Sequence, residues 1–244
     1  MHRFFVTPDQ LQNGRVAFSD DQAQQIQKVL RLRPGQHVMV LDNAGWAYEV
    51  KLTLVSRKGT AGEVLERQPA TGEPAVVLTL YQSVIKWDRF EWVLQKGTEV
   101  GVARFVPVIT QRSRLKSSDE IKPNRVARWQ RIIAEAAEQS RRGRLPRLAP
   151  AVNLSEAMAS CSAEAALIPG EEAEGGISIG TALTSRRPQS VALFIGPEGG
   201  FTEEEVAAGR RRGMIPVSLG RRIMRAETAA VVAAALVLHE LGEM

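Results

Sequence analysis

The stretch VALFIGPEGGFTEEE, Val191–Glu205, decides how this chain is read. Its first five residues, Val191 to Ile195, have the length and apolar character of a buried strand. A proline and three glycines follow, then a helix start in which Thr202 and Glu205 stand at capping-box spacing. Glycine-rich turns between a strand and a helix ordinarily hold phosphate, because free backbone N–H groups and the helix dipole attract anions. Here Glu203, Glu204 and Glu205 already occupy the positive end of the helix. A ligand with amine or sulfonium charge, and an adenine or ribose to hydrogen-bond, suits such a turn better than a phosphate does. The plainer alternative is a helix-entry turn with no ligand.

Outward from this stretch, strand and helix signals alternate from Val76 to the end. VVLTLYQ precedes a helix with Phe90, Val93, Leu94 and Gly97 on one face. RFVPVIT leads to the long segment PNRVARWQRIIAEAAEQS, AALIP and the opening strand follow, and MIPVSLG enters a closing helix, AETAAVVAAALVLHEL. This alternation predicts a parallel α/β sheet covered by helices. Residues 1–72 read differently. One helical segment, SDDQAQQIQKVLRL, is followed by alternating apolar and polar residues punctuated by DNAG and RKGTAG, the grammar of a small β-barrel or sandwich. QPATGEPA is the candidate linker, so two domains are expected, 1–72 and 73–244.

Composition narrows the function. The 244 residues carry 32 Lys and Arg against 27 Asp and Glu, a net charge of +5 that suits a polyanionic partner. One cysteine, Cys161, and three scattered histidines leave no basis for a disulfide framework or a metal site. No long apolar run suggests a leader or a membrane span, so a cytoplasmic protein without membrane or metal is expected. No two glycines are separated by a single residue and no Gly-Lys dipeptide occurs. The dinucleotide fingerprint and the P-loop are therefore absent.

Two loops remain, each placed where open α/β sheets bind ligands, beyond the carboxyl ends of strands. One is IGPEGGF, Ile195–Phe201; the other is SLGRRIMRAETAA, Ser218–Ala230. Together with LQKGTEVGV, QRS, RWQRIIAEAAEQSRR, HRFFV and VLRLRPG, these blocks resemble the RsmE-type 16S ribosomal RNA uracil-N3 methyltransferases of the SPOUT superfamily, over nearly the whole chain. The resemblance implies an α/β domain with a deep trefoil knot behind a PUA-like N-terminal barrel. It implies S-adenosylmethionine as cofactor, a homodimer, and the small ribosomal subunit or its 16S rRNA as partner. By position it implies a cofactor cradle of Leu167, Ile168 and Pro169, of Ile195, Gly196, Pro197, Glu198, Gly199 and Gly200, and of Leu219, Gly220, Ile223 and Met224. Gly97 departs from the alanine usual in the family.

Methylation at N3 requires loss of the N3 proton, so the site needs a base and something to stabilise an anionic uracil. Arg225 and Glu227 are the catalytic candidates. Arg225 has the fork to orient a base or phosphate; Glu227 is either the proton acceptor or a cap on the last helix. Cys161, in an Ala/Ser-rich stretch, reads as a small filler, so the thiolate route to C5 methylation is not indicated. RNA contacts are expected from Arg3, Arg31 and Arg33, and from Arg112, Arg114, Arg141, Arg142, Arg144, Arg221 and Arg222. A non-catalytic RNA-binding assembly factor, and a methyltransferase of another RNA or of a ribose hydroxyl, are the alternative functions.

Overall fold

The computed structural model describes residues 1–56, 58–170, 177–184 and 187–244. The chain divides into two compact units, Met1–Glu73 with Ala137–Leu145, and Pro74–Ala136 with Pro146–Met244. The boundary near residue 73 follows the proline- and glycine-rich stretch. The return of residues 137–145 to the first unit has no signal in the sequence.

In the first unit, β1 (Arg3–Phe5), β2 (Leu11–Gln12), β3 (Arg15–Ala17), β4 (His37–Leu41), β5 (Trp46–Ser56) and β6 (Gly59–Pro69) form one sheet in the order β1-β4-β5-β6-β3-β2. Arg57, at the head of the second turn signal, lies outside the described residues. Only β1 and β4 pair in parallel. Alternate residues Val38, Val40, Val50 and Leu52 are buried with Phe4, Val16 and Ile26, which is the period-2 pattern of a sheet with one covered face. Register shifts at Glu49/Val50 and Leu52/Leu54 bend the long hairpin. At Gly62 a Cβ would run into the Val50 side chain and the Lys51 carbonyl, so the bend depends on a residue with none. The expected helix is an α-helical turn, α1 (Asp20–Gln24), capped by Ser19 and running into a π-helical turn over Gln25–Val29.

In the second unit the strands are β7 (Val77–Ser83), β8 (Arg104–Ile109), β9 (Arg147–Leu148), β10 (Val152–Asn153), β11 (Ala165–Pro169), β12 (Ile177–Ser178), β13 (Ser190–Ile195) and β14 (Ile215–Ser218). Every pairing among them is parallel, in the order β10-β8-β7-β13-β11-β14-β12, with β9 beside β8. The helices are α2 (Trp87–Val100), α3 (Pro123–Gln139), whose last residues belong to the first unit, α4 (Leu154–Ala159), α5 (Ile179–Thr184), α6 (Glu203–Arg211) and α7 (Ala226–Glu240).

Strand residues alternate between two cores. Val191, Leu193 and Ile195 pack with Leu78, Leu80 and residues of α2, α5 and α7; Ala192 and Phe194 pack with Tyr81, Val106, Met158 and Met214 on the opposite face. Tyr81 and Phe194 stack with centroids 4.2 Å apart. The strand–helix alternation read from Val76 is thus realised as an α/β sheet covered on both faces. Trp87 packs against Trp129, which contacts Phe90 at 4.5 Å, while Trp92 is exposed. Gly97 brings α2 onto β8: a Cβ there would sit 2.8 Å from the Phe105 ring. Among the described residues no helix is long and apolar enough to cross a membrane, and no cluster of His, Cys, Asp or Glu could hold a metal.

Candidate active site

Because β7, β13, β11 and β14 are parallel neighbours, their carboxyl ends lie along one edge of the sheet. The three segments expected to form a cradle lie there: Leu167 to Pro169 end β11, Ile195 to Gly200 run out of the end of β13, and Leu219 to Met224 follow β14. Between β7 and β13 the chain leaves in opposite directions, β7 towards β8 and β13 towards β14. Adjacent strands with diverging exits leave a crevice at their ends, the usual ligand position in open sheets.

The turn after β13 is tight and externally braced. Gly200 has φ +66° and donates its N–H to the Pro197 carbonyl at 2.9 Å. Gly196 faces this returning backbone: a Cβ would lie 3.2 Å from the Gly200 carbonyl carbon and from the Phe201 nitrogen. Arg112, beyond the end of β8, donates to the Gly199 carbonyl at 2.6 Å. Glu205 accepts from Thr202 N at 2.8 Å and from Gln111 N at 2.8 Å, while the Thr202 hydroxyl accepts from Glu205 N. The capping box is therefore present, and its glutamate also anchors the neighbouring loop. Exposed Glu204 is held below the usual carboxylate range by a backbone hydrogen bond, then by Thr202. The positive end of α6 is thereby satisfied by its own side chains.

The second loop carries Gly220 at φ +104°, with its N–H on the Ser218 hydroxyl at 3.1 Å. Arg221, Arg222 and Arg225 are exposed, Leu219 and Met224 half-buried, and Ile223 is 80% exposed. Leu167 and Ile168 are buried in opposite cores, so only their backbone atoms are available to a ligand. Arg225 is the N-cap residue of α7 but makes no side-chain cap bond. Glu227 lies in the first turn, 13% exposed, with Oε1 3.6 Å from Arg89 Nε. Its Oε2 is buried and, among the described residues, has no hydrogen-bond partner. Glu227 therefore turns its carboxylate towards Arg89 rather than onto the helix backbone. Two further buried atoms without partners, Gln82 Oε1 and Ser83 Oγ, stand at the end of β7.

Arg89 carries no signal in the sequence. It sits in the first turn of α2, and its Nη1 reaches Glu198 Oε1 at 3.3 Å while its Nε faces Glu227. One guanidinium thus joins the two loops through a carboxylate of each. These contacts link residues far apart in the chain, and no local spacing announces them.

The expected RNA-contacting arginines divide by environment. Arg31, Arg33, Arg114, Arg141, Arg144, Arg221 and Arg222 are exposed. Arg112 is exposed but committed to the glycine turn. Arg3 donates to the Arg141 carbonyl at 2.9 Å, and burial, then Arg141, lowers its pKa. Arg142 is the marked exception. It is 3% exposed and grips Glu73 through Nε–Oε1 at 2.8 Å and Nη2–Oε2 at 2.7 Å. The structure gives it an internal task, closing residues 137–145 onto the first unit. A cavity of about 160 Å³ against Met158, Cys161, Glu164 and Arg212 opens where β11 and β14 begin, at the other edge of the sheet from these loops.

Residues 72–238 match the RNA methyltransferase domain family. A Synechocystis protein, ribosomal RNA small subunit methyltransferase E, is 35% identical over 96% of this chain and 76% of its own length. The chain belongs to the ribosomal RNA small subunit methyltransferase E family. The Bacillus subtilis member is 29% identical over 98% of this chain and 97% of its own. A crystal structure of the Neisseria gonorrhoeae member bound to S-adenosyl methionine superimposes with a TM-score of 0.87, at 32% identity, over 98% of this chain and 97% of that one.

Proposed function

We propose that this chain is an S-adenosylmethionine-dependent methyltransferase that modifies N3 of a uridine in the 16S rRNA of the small ribosomal subunit. The observation that carries the reading is the pair of strand-end loops joined by Arg89, in a chain of this family. The residues present suit the cofactor. The glycine turn is preformed and its helix end already neutralised, so it offers backbone groups and carboxylates to a cationic ligand rather than dipole charge to an anion. Ile195, Gly196, Pro197, Glu198, Gly199 and Gly200 would hold it with Leu219, Gly220, Ile223 and Met224 and the backbone of Leu167, Ile168 and Pro169. When bound, it supplies an electrophilic methyl group on a sulfonium.

The chain's own part is to bind the base and manage one proton. Glu227 accepts the N3 proton, which leaves the nitrogen electron pair available for the methyl group. Arg225 and the arginines of the second loop orient the base or its phosphate. Exposed Arg31, Arg33, Arg114, Arg141, Arg144, Arg221 and Arg222 supply phosphate contacts. A ribosomal substrate puts this activity in the cytoplasm.

Three further parts of the reading follow from the resemblance. Residues 1–72 are a PUA-like RNA-binding domain and 73–244 a SPOUT domain; a bent six-stranded sheet supports the first assignment. A knotted C-terminal segment is supported by the insertion of β13 between β7 and β11 while β14 pairs on the far side of β11. A homodimer is supported by large apolar residues exposed on two packed helices, Trp92 at 41% on α2 and Leu236 at 37% on α7.

The test is methyl transfer from labelled S-adenosylmethionine to unmodified small subunits and to free 16S rRNA, followed by nucleoside mass spectrometry. The expected product is 3-methyluridine. A methyl on ribose would redirect the reading to a hydroxyl acceptor. Cofactor binding with no transfer to either RNA would point to another RNA, and no cofactor binding to an assembly factor.

A further inference from the structure

Arg89 is in an odd place for a helix residue. It occupies the first turn of α2, where the helix dipole disfavours a cation, and its guanidinium turns away to two acids from other elements. Glu227 is equally odd for a structural acid. It does not cap its own helix, although α7 has no side-chain cap, and it keeps one oxygen buried without a partner. Leaving a buried acceptor unbonded is costly, and a group placed only for stability would not be left so. The two oddities explain each other if the cation exists to hold the acid.

We propose that Arg89 is a positioning residue that acts through Glu227, holding its carboxylate in place in the first turn of α7, and tying that carboxylate to the cofactor turn through Glu198. This rests on the methyltransferase reading above. The two contacts are unequal. Glu198 is 45% exposed and its pair at 3.3 Å is a solvated one, so it adds little energy but couples the turn to the acid. Glu227 is 13% exposed, so the guanidinium beside it acts through a less screened path. Arg89 from α2 is the charged group facing Glu227, and among the described residues no other cation on α5, α7, β7 or β13 comes within ion-pair distance of it. Gln82 and Ser83, at the end of β7, are neutral.

Two consequences distinguish positioning through Glu227 from a role in the fold. First, removing both groups should cost no more turnover than removing Glu227 alone, because the cation has nothing left to position. Second, removing the cation while keeping the acid should lower kcat with the cofactor dissociation constant unchanged, and a lysine at the same position should restore part of it. Loss of folded enzyme would instead lower the number of cofactor sites along with turnover.

The experiment compares wild type, Arg89→Met, Glu227→Gln and the double variant in methyl transfer to small ribosomal subunits, with cofactor dissociation constants from calorimetry. Each single substitution is expected to lower kcat by about 10²-fold or more, the scale of a positioned general base. The double is expected to match Glu227→Gln within about threefold, the error of independent sites. Cofactor binding should persist in all four proteins. Arg89→Lys, which keeps the charge and folds with the same helix, should recover part of kcat. A double variant whose loss is the product of the two single losses would overturn the proposal, as would an Arg89→Met protein with wild-type kcat. Wild-type protein that binds cofactor yet transfers no methyl group to small subunits would overturn the 16S rRNA reading itself, and the two failures are thereby separable.

Discussion

Arg142 offers the sharpest contrast between a charge read from sequence and a charge met in a fold. Replacing it with alanine removes a guanidinium that is 3% exposed and two short bonds to Glu73, at 2.7 and 2.8 Å. Breaking a buried pair by deleting one partner costs about 3–5 kcal/mol. Glu73 moderates this figure, because its side chain is 25% exposed and Oε1 also accepts from Gly143 N at 2.9 Å and Arg144 N at 3.1 Å. The carboxylate left behind would thus keep two donors and some water, which puts the loss near the lower bound, about 3 kcal/mol. Two compact units make a single global transition unsafe to assume. Hydrogen exchange in urea, followed peptide by peptide, is therefore the assay. Protection should fall by that amount in β4, β5, β6 and residues 141–145, and Arg142→Lys should restore little, since an ammonium cannot make the bidentate contact. A loss under about 1 kcal/mol, together with weaker RNA binding and a flatter salt dependence, would refute this reasoning and make Arg142 a phosphate ligand.

Three more outcomes are expected. Gly196→Ala should weaken cofactor binding by about tenfold, because its Cβ meets returning backbone at 3.2 Å; Gly199→Ala, whose Cβ meets only the Arg112 side chain at 3.5 Å, should bind nearly normally, and calorimetry on the pair tells them apart. Arg128, then Arg125, hold Glu91 below the usual carboxylate range, so the clamp between α2 and α3 is fully formed above that range and lost as acid titrates the folded-state carboxylate. Wild type should then exceed Glu91→Gln in stability at neutral pH and converge with it in strong acid, as read from melting curves across pH. Arg222→Ala, at an exposed position, should lower the slope of log affinity for RNA against log salt by about one, measured in a salt titration.

What the sequence carries well is whatever one segment decides alone. The Thr202–Glu205 box is a spacing of three residues, and it forms as read. The alternation of Val191, Leu193 and Ile195 against Ala192 and Phe194 only needed two apolar faces to become a doubly covered strand. Loop position is nearly as legible, since parallel strands put their exits on one edge once the alternation is granted. Pairwise matters are not. Arg89 looks like any helix arginine until Glu198 and Glu227 are brought beside it from far along the chain. Arg142 sits in a run of basic residues that reads as an RNA-contacting cluster, and its burial depends on Glu73 arriving from β6's exit. Gln82 and Ser83 read as the polar end of a strand, whereas both are fully buried. The insertion of β13 between β7 and β11 is likewise a choice among sheet orders that share the same local pattern.

The first unit is made of two separate pieces of chain, and this bears on how it comes to exist during synthesis. Residues 1–73 leave the ribosome well before Ala137–Leu145, which supplies Ala137 to the cluster of Phe5, Leu41 and Ala47, the Arg141 carbonyl to Arg3, Arg142 to Glu73, and the Leu145 amide to Asn43. At Gly72 and Gly143 the two pieces meet backbone to backbone, with no room for a side chain at either. A nascent chain halted before residue 137 therefore holds a sheet with one seam open. The fragment 1–73 is accordingly a poor choice for expression by itself, and a ribosome-bound series of increasing length should gain resistance to protease only once Leu145 has emerged.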